Sequence, residues 1–197
     1  MADTQGESVP IEFVEPGTFL CAWPDLRDPN FAHRVIAMCE HSRHGAFGII
    51  INDPLEVGTE TLFAKHELLG KIEFPIYRGG PVDVESLQFL HRVPGQIPGG
   101  HLIAQDLWIG GDFEALAKYI HSSPEVAMGT VRLFVGYSGW GGGQLEDELA
   151  SGSWVPAAAP LDEVFASEPE AAWKRILQGL GEIGRQLASQ PPDPRAN

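Results

Sequence analysis

The sequence predicts a single-domain α+β fold with a mainly antiparallel or mixed sheet. Three observations lead there. Short apolar runs rich in β-branched and aromatic residues dominate the first part of the chain, and amphipathic patterns interleave with them and then cluster late. No repeat, low-complexity block or linker divides the 197 residues. A regular alternation of strand and helix would favour a doubly wound parallel sheet, and that alternation is missing. The length suits one domain able to bury its own core without disulfides or a metal. The folded domain is expected over residues 12–189. Polar tails are expected to be disordered at 1–11 and at 190–197, the latter carrying three prolines in QPPDPRAN.

Taken in order, GTFLCAW, RVIAMCEH and FGIIIN read as strands. HSRHG lies between the second and third, and its Gly45 and polar residues suit a hairpin turn. TETLFAKHELLG follows as a helix. FPIYRGGP and SLQFLHRV are strands ended by Gly or Pro, and HLIAQ and TVRLFVGYSGW add two more. Between these last two, GDFEALAKYIHSSP is a helix with Phe113, Leu116, Ala117 and Ile120 on one face. Asp112 is its natural N-cap and Pro124 follows its end. In the last helix Ser167 and Glu170 are spaced as a capping box. Trp173, Ile176, Leu177, Leu180 and Leu187 form its apolar stripe, which reads as core packing.

Charge narrows the function classes. Thirteen Lys and Arg against 27 Asp and Glu give a net charge of −14. An acidic body repels phosphate backbones and anionic lipid, which weighs against direct nucleic-acid binding. The basic residues Arg27, Arg34, Arg43, Lys65 and Lys71 are scattered, without aromatic interleaving or a helix-turn-helix pattern. The N-terminal MADTQGESVP has no apolar signal region, and no apolar run approaches a membrane span. A cytoplasmic location is expected. The two cysteines, Cys21 and Cys39, sit among apolar residues and read as reduced core residues.

Several motifs approach known chemistry and stop short. The stretch Gly136 to Leu149, GYSGWGGGQLEDEL, leaves a strand and enters a helix, a layout that can cradle phosphate. It has no P-loop Lys, and neither of its Gly-x-Gly pairs completes G-x-G-x-x-G. Glu146, Asp147 and Glu148 fill the first helical turn, where they favour the helix dipole themselves and repel an incoming anion. The glycines therefore read as a turn where backbone passes close to backbone. Ser138 stands in a G-x-S-x-G-like setting broken by Trp140, so it is not expected to be a nucleophile. Cys39 and His41, two apart, would share one face of a strand with Glu40 on the other. His91 and His101 supply no second Cys–His cluster, so neither a metal nor another cofactor is expected.

Three blocks in order carry a family resemblance. They read PDLRDPNFAHRVIAMCEHSRHGAFGIIINDP, then YRGGPV with QFLH, then GYSGWGGGQLEDELASGSWV. Together they resemble the bacterial AlgH/YqgE family from about Gly17 to Gly181. The family's strand-hairpin pattern maps onto Cys39, Glu40, His41, Gly45, Ala46, Gly48, Ile51 and Asn52. Two positions depart from it: Ser138 replaces the usual Ala, and Asp53 replaces the usual Lys or Arg. The resemblance implies a compact fold with a strongly bent, partly barrel-like sheet surrounded by helices. It implies no established biochemical activity, although one member is linked to regulation of alginate production.

On these grounds the chain is expected to be a non-enzymatic binding or regulatory protein, taking a protein partner or a small-molecule ligand. Its candidate surface is where the blocks converge: Glu40, His41, Asn52, Gly79, Gly80, His91, Trp140 and Gln144. The alternative is a small-molecule enzyme with His41 or His91 as general acid/base and Glu40 as orienter. It requires both imidazoles in one pocket with a carboxylate in reach.

Overall fold

The computed structural model describes residues 14–190. The expected tails, 1–11 and all of 190–197 except Gln190, lie outside them.

The α+β expectation holds. Strands β1 (Phe19–Ala22), β2 (Val35–Ser42), β3 (Gly45–Ile50), β4 (Pro54–Gly58), β5 (Pro75–Arg78), β6 (Val82–His91), β7 (His101–Ala104), β8 (Leu107–Ile109), β9 (Val131–Gly141) and β10 (Trp154–Ala157) form one sheet. Its main path is β10-β1-β2-β3-β9-β6-β8-β7, with β5 added to β9 and β4 to β5. The pairing of β5 with β9 is parallel and the other pairings are antiparallel. The ends of the path do not join, so the sheet is open and not a closed barrel. Around it lie α1 (Thr59–Leu62), α2 (Phe113–Ser122), α3 (Pro124–Met128), α4 (Gln144–Ala150), α5 (Ala172–Gly179) and α6 (Gly181–Ala188).

β9 ties the sheet together. Its first half pairs with β5 and most of β6, and its second half pairs with β3 and, at Tyr137, with Val82 of β6. Gly136, at φ +72°, interrupts the extended backbone between the two halves. The Gly79-Gly80 pair passes close by at this point. A Cβ on Gly79 would lie 2.3 Å from the Gly136 carbonyl oxygen, and one on Gly80 would lie 2.2 Å from the Tyr137 carbonyl. The Gly79 carbonyl accepts from Ile50 N–H at 2.8 Å, and its N–H donates to the Val135 carbonyl at 2.8 Å. Residues 79–80 thus bridge β3 and β9 with backbone alone.

Both faces of the β1–β2–β3 region are covered, which explains its unbroken apolar runs. Cys21, Val35, Ala37 and Ile49 pack on one face against Trp173, Ile176 and Leu177 of α5. Leu20, Ile36, Met38 and Ile50 pack on the other against Leu145 and Leu149 of α4. A third cluster gathers Phe74, Ile76 and Leu133 under Leu116, Ala117 and Ile120 of α2. The Asp112 carboxylate accepts from Ala115 N–H at 2.7 Å, which makes it the α2 cap that its position predicted.

Three helical expectations change. The segment after β4 gives one helical turn and a separate 3-10 turn at Leu69–Lys71 instead of one helix. Thr59 draws the chain back: its hydroxyl donates to the Ile72 carbonyl and accepts from Phe74 N–H at 3.1 Å. Ser167 and Glu170 do not form a capping box, because Pro169 opens a 3-10 turn and α5 begins at Ala172 with no side-chain cap. The last helix is two, α5 and α6, broken where Gly181 takes φ +82°. Strands β4, β8 and β10 were not anticipated.

Candidate functional site

One end of the sheet gathers four of the sequence-derived candidates. The β2–β3 hairpin turns at Arg43-His44, and the end of β9 lies beside it, with Ala46 paired to Trp140. The chain then turns into α4 through Gly142 and Gly143. A Cβ on Gly142 would lie 2.7 Å from the Arg43 carbonyl, and Gly143 takes φ +82°, so the glycine-rich stretch is the close backbone turn that its composition suggested.

His41 links this corner to the start of the described chain. Its Nδ1 lies 2.6 Å from the Val14 carbonyl and its Nε2 lies 3.0 Å from Glu146 Oε1. The Glu146 carboxyl is held below the usual carboxylate range, first by its own backbone N–H and then by His41. Trp140 is 7% exposed, and its indole N–H donates to Glu148 Oε2 at 2.9 Å. Trp154 donates to the same oxygen at 2.8 Å, and Gln144 Nε2 donates to the other oxygen at 3.0 Å. Gln144 Oε1 also accepts from Gly141 N–H at 3.1 Å. Glu40, Ser42, His44 and Trp140 line a shallow depression of about 220 Å³ on this corner.

The expected shared face of Cys39 and His41 is corrected here. A β-bulge between Met38 and Glu40 shifts the register, so His41 pairs with Ala46 and Glu40 with Phe47. Cys39 and Phe47 therefore pack with the α5 side, whereas His41 shares the face of Ala46 and Trp140 on the α4 side. Both thiols are free, and burial pushes both upward from the ordinary range.

The remaining candidates lie elsewhere. Asn52 is 1% exposed; its Oδ1 accepts from Val35 N–H at 2.8 Å and its Nδ2 donates to the His33 carbonyl at 2.9 Å. It fastens the start of β2 to the end of β3. Gly79 and Gly80 form the backbone bridge already described, and Ser138 Oγ donates to the Gly79 carbonyl at 3.4 Å. His91 is fully buried beside Val131, at the opposite end of β9. Its Nε2 lies 3.0 Å from the Gly110 carbonyl, and its Nδ1 accepts from Val93 N–H at 3.2 Å. Those partners suit a neutral ring, and burial lowers its pKa.

The single pocket required by the acid–base alternative is not formed. His41 aligns with position 140 of β9 and His91 with position 131, a strand distance of about 30 Å. Among the described residues, no three His, Cys, Asp or Glu side chains converge in a way that could hold a metal ion. No helix among them is long and apolar enough to cross a membrane.

One buried cation escaped the sequence reading. Arg132 is 5% exposed on β9, and it lines a cavity of about 400 Å³. The available signal was a charge inside the apolar run TVRLFVGY.

Comparison with known proteins bears on the family and the fold. A UPF0301 protein of Chlorobaculum tepidum is 36% identical over 187 residues, covering 95% of this chain and 98% of its own. One from Cytophaga hutchinsonii is 37% identical, covering 92% of this chain and 98% of its own. The solution structure of the AlgH protein from Pseudomonas aeruginosa has a TM-score of 0.67 at 28% identity, covering 89% of this chain and 94% of its own. The crystal structure of a Corynebacterium diphtheriae protein shares the fold, with a TM-score of 0.73 at 23% identity over 93% of this chain and 94% of its own. The AlgH-like family model matches residues 19–183, and the chain belongs to that family.

Proposed function

We propose that the protein is a non-enzymatic, cytoplasmic binding protein that regulates through a protein partner and not by contacting DNA. The contact surface in this reading is the corner formed by the β2–β3 hairpin, the end of β9 and α4. The observation that carries it is the way the corner's reactive groups are already occupied. His41 and Glu146 hold each other, and Trp140 and Gln144 both donate to Glu148, beside exposed Glu40, Ser42 and His44. A polar rim whose reactive groups are already hydrogen-bonded, set over a buried tryptophan, suits recognition better than proton transfer.

Charge gives the partner its character. Glu40, Glu146 and Asp147 are exposed on this corner of a chain whose net charge is −14. A partner presenting basic side chains fits it, and nucleic acid does not. The test compares capture from native cytoplasm by the wild type and by a Glu40→Lys/Asp147→Lys variant. The wild type is expected to retain a discrete protein that the variant binds at least about tenfold more weakly, because like charges at an interface cost several kcal/mol. Equal retention by both, or retardation of DNA at low salt by the purified chain, would overturn the reading.

A further inference from the structure

A second feature lies at the other end of β9, independent of the corner. Arg34 and Arg78 both face Asp53, Arg92 faces Asp162 and Asp106, Arg175 faces Glu163, and Arg185 faces Glu182, each within 4.0 Å. Arg132 is more deeply placed, yet no carboxylate among the described residues lies within that distance of it. Its Nη2 donates to the Ala166 carbonyl at 2.8 Å, and its guanidinium sits 4.5 Å from the centre of the Tyr77 ring. Its Nη1 is buried with no hydrogen-bond partner.

Burying a cation without a counter-charge costs stability. Burial also pulls the Arg132 pKa below its ordinary value, with neighbouring Tyr77 and Glu170 acting in the opposite direction. The cavity beside it, about 400 Å³, falls in the range of small-molecule sites. Phe74, Met128 and Phe165 give it apolar walls, and Tyr77 and Ser167 line it as well. Among the described residues Arg132 is the only cation lining this cavity, so a single negative charge suits it better than a double one.

We infer that this cavity binds a small monocarboxylate with an apolar body, its carboxylate paired to Arg132 and its body against Phe74, Met128 and Phe165. Thermal denaturation of the full chain is followed with benzoate, hexanoate, phenyl phosphate and, as an uncharged control, benzamide. Benzoate or hexanoate at about a hundred times its Kd is expected to raise the midpoint by about 5–10 °C. Benzamide leaves it unchanged, and both Arg132→Met and Met128→Trp abolish the rise. Met128 is 49% exposed on the cavity rim, so Met128→Trp blocks entry with the core intact and decides the question if Arg132→Met does not fold. The inference fails if no carboxylate shifts the midpoint, if benzamide matches the carboxylates, if only phenyl phosphate acts, or if the rise survives in Met128→Trp.

Discussion

Single side chains in this protein take their roles from the partners that the fold gives them. His91 and His41 are alike in sequence terms, each a polar residue near the end of an apolar strand. The fold buries His91 as a neutral brace between Gly110 and Val93, and it leaves His41 half-exposed against a carboxylate. Their difference has a pH signature. Burial depresses the His91 pKa from 6.5 in the folded state, so below that value the unfolded chain takes up a proton that the folded ring resists. Stability from this group is complete above about pH 6.5 and falls as pH drops towards the folded pKa. Urea midpoints measured at about pH 7.5 and about pH 5.5 should show that loss in the wild type. His91→Ala should lower stability by about 1–3 kcal/mol at the higher pH, because the Val93 N–H and Gly110 carbonyl lose a buried partner. The difference between the two pH values should be smaller in the variant. An unchanged difference would mean that another group titrates.

At the scale of elements, the contact of residues 79–80 with β9 is the most demanding junction. Gly80 takes φ +155°, and a Cβ there would meet the Tyr137 backbone at 2.2 Å. The three nearest atoms are all backbone, of Tyr137 and Ser138, so no side chain is free to yield. Gly80→Ala is therefore expected to cost about 3 kcal/mol or more, read as a shift in the denaturation midpoint with the slope unchanged. A loss under about 1 kcal/mol would show that β9 can move aside. The Gly-Gly text was visible in the sequence, but its contact with Gly136 was not, because Gly80 and Gly136 lie 56 residues apart along the chain. The same limit separates what could be read from what could not. The long strands, the hairpin at Gly45 and the Asp112 cap follow from local pattern and turn chemistry. β4 and β10 begin with or contain proline, and β8 has three residues, so each exists only because a neighbour pairs with it. The bulge after Met38 carries no local mark, and it alone turned His41 away from Cys39 and towards Trp140. The corner was legible as a set of residues, whereas its geometry depended on that one extra residue.

For the whole molecule, the net charge of −14 sets a background repulsion that scattered ion pairs offset only in part. Raising the salt from about 0.01 M to about 0.15 M shortens the screening length from about 30 Å to about 8 Å, and it should raise the thermal midpoint. A fall instead would mean that groups such as Arg34, Asp53 and Arg78 stabilise more than the excess charge costs. Beyond charge, the position of β9 late in the chain has a consequence for synthesis. Among the described residues, β3 and β6 are joined in the sheet only through β9, and β9 ends at Gly141. A nascent chain that has just released His91 must wait for fifty more residues. At about 5–20 residues per second that wait is about 3–10 s. During it, two apolar strand edges stand open beside the ribosome, in a form that invites pairing with other chains.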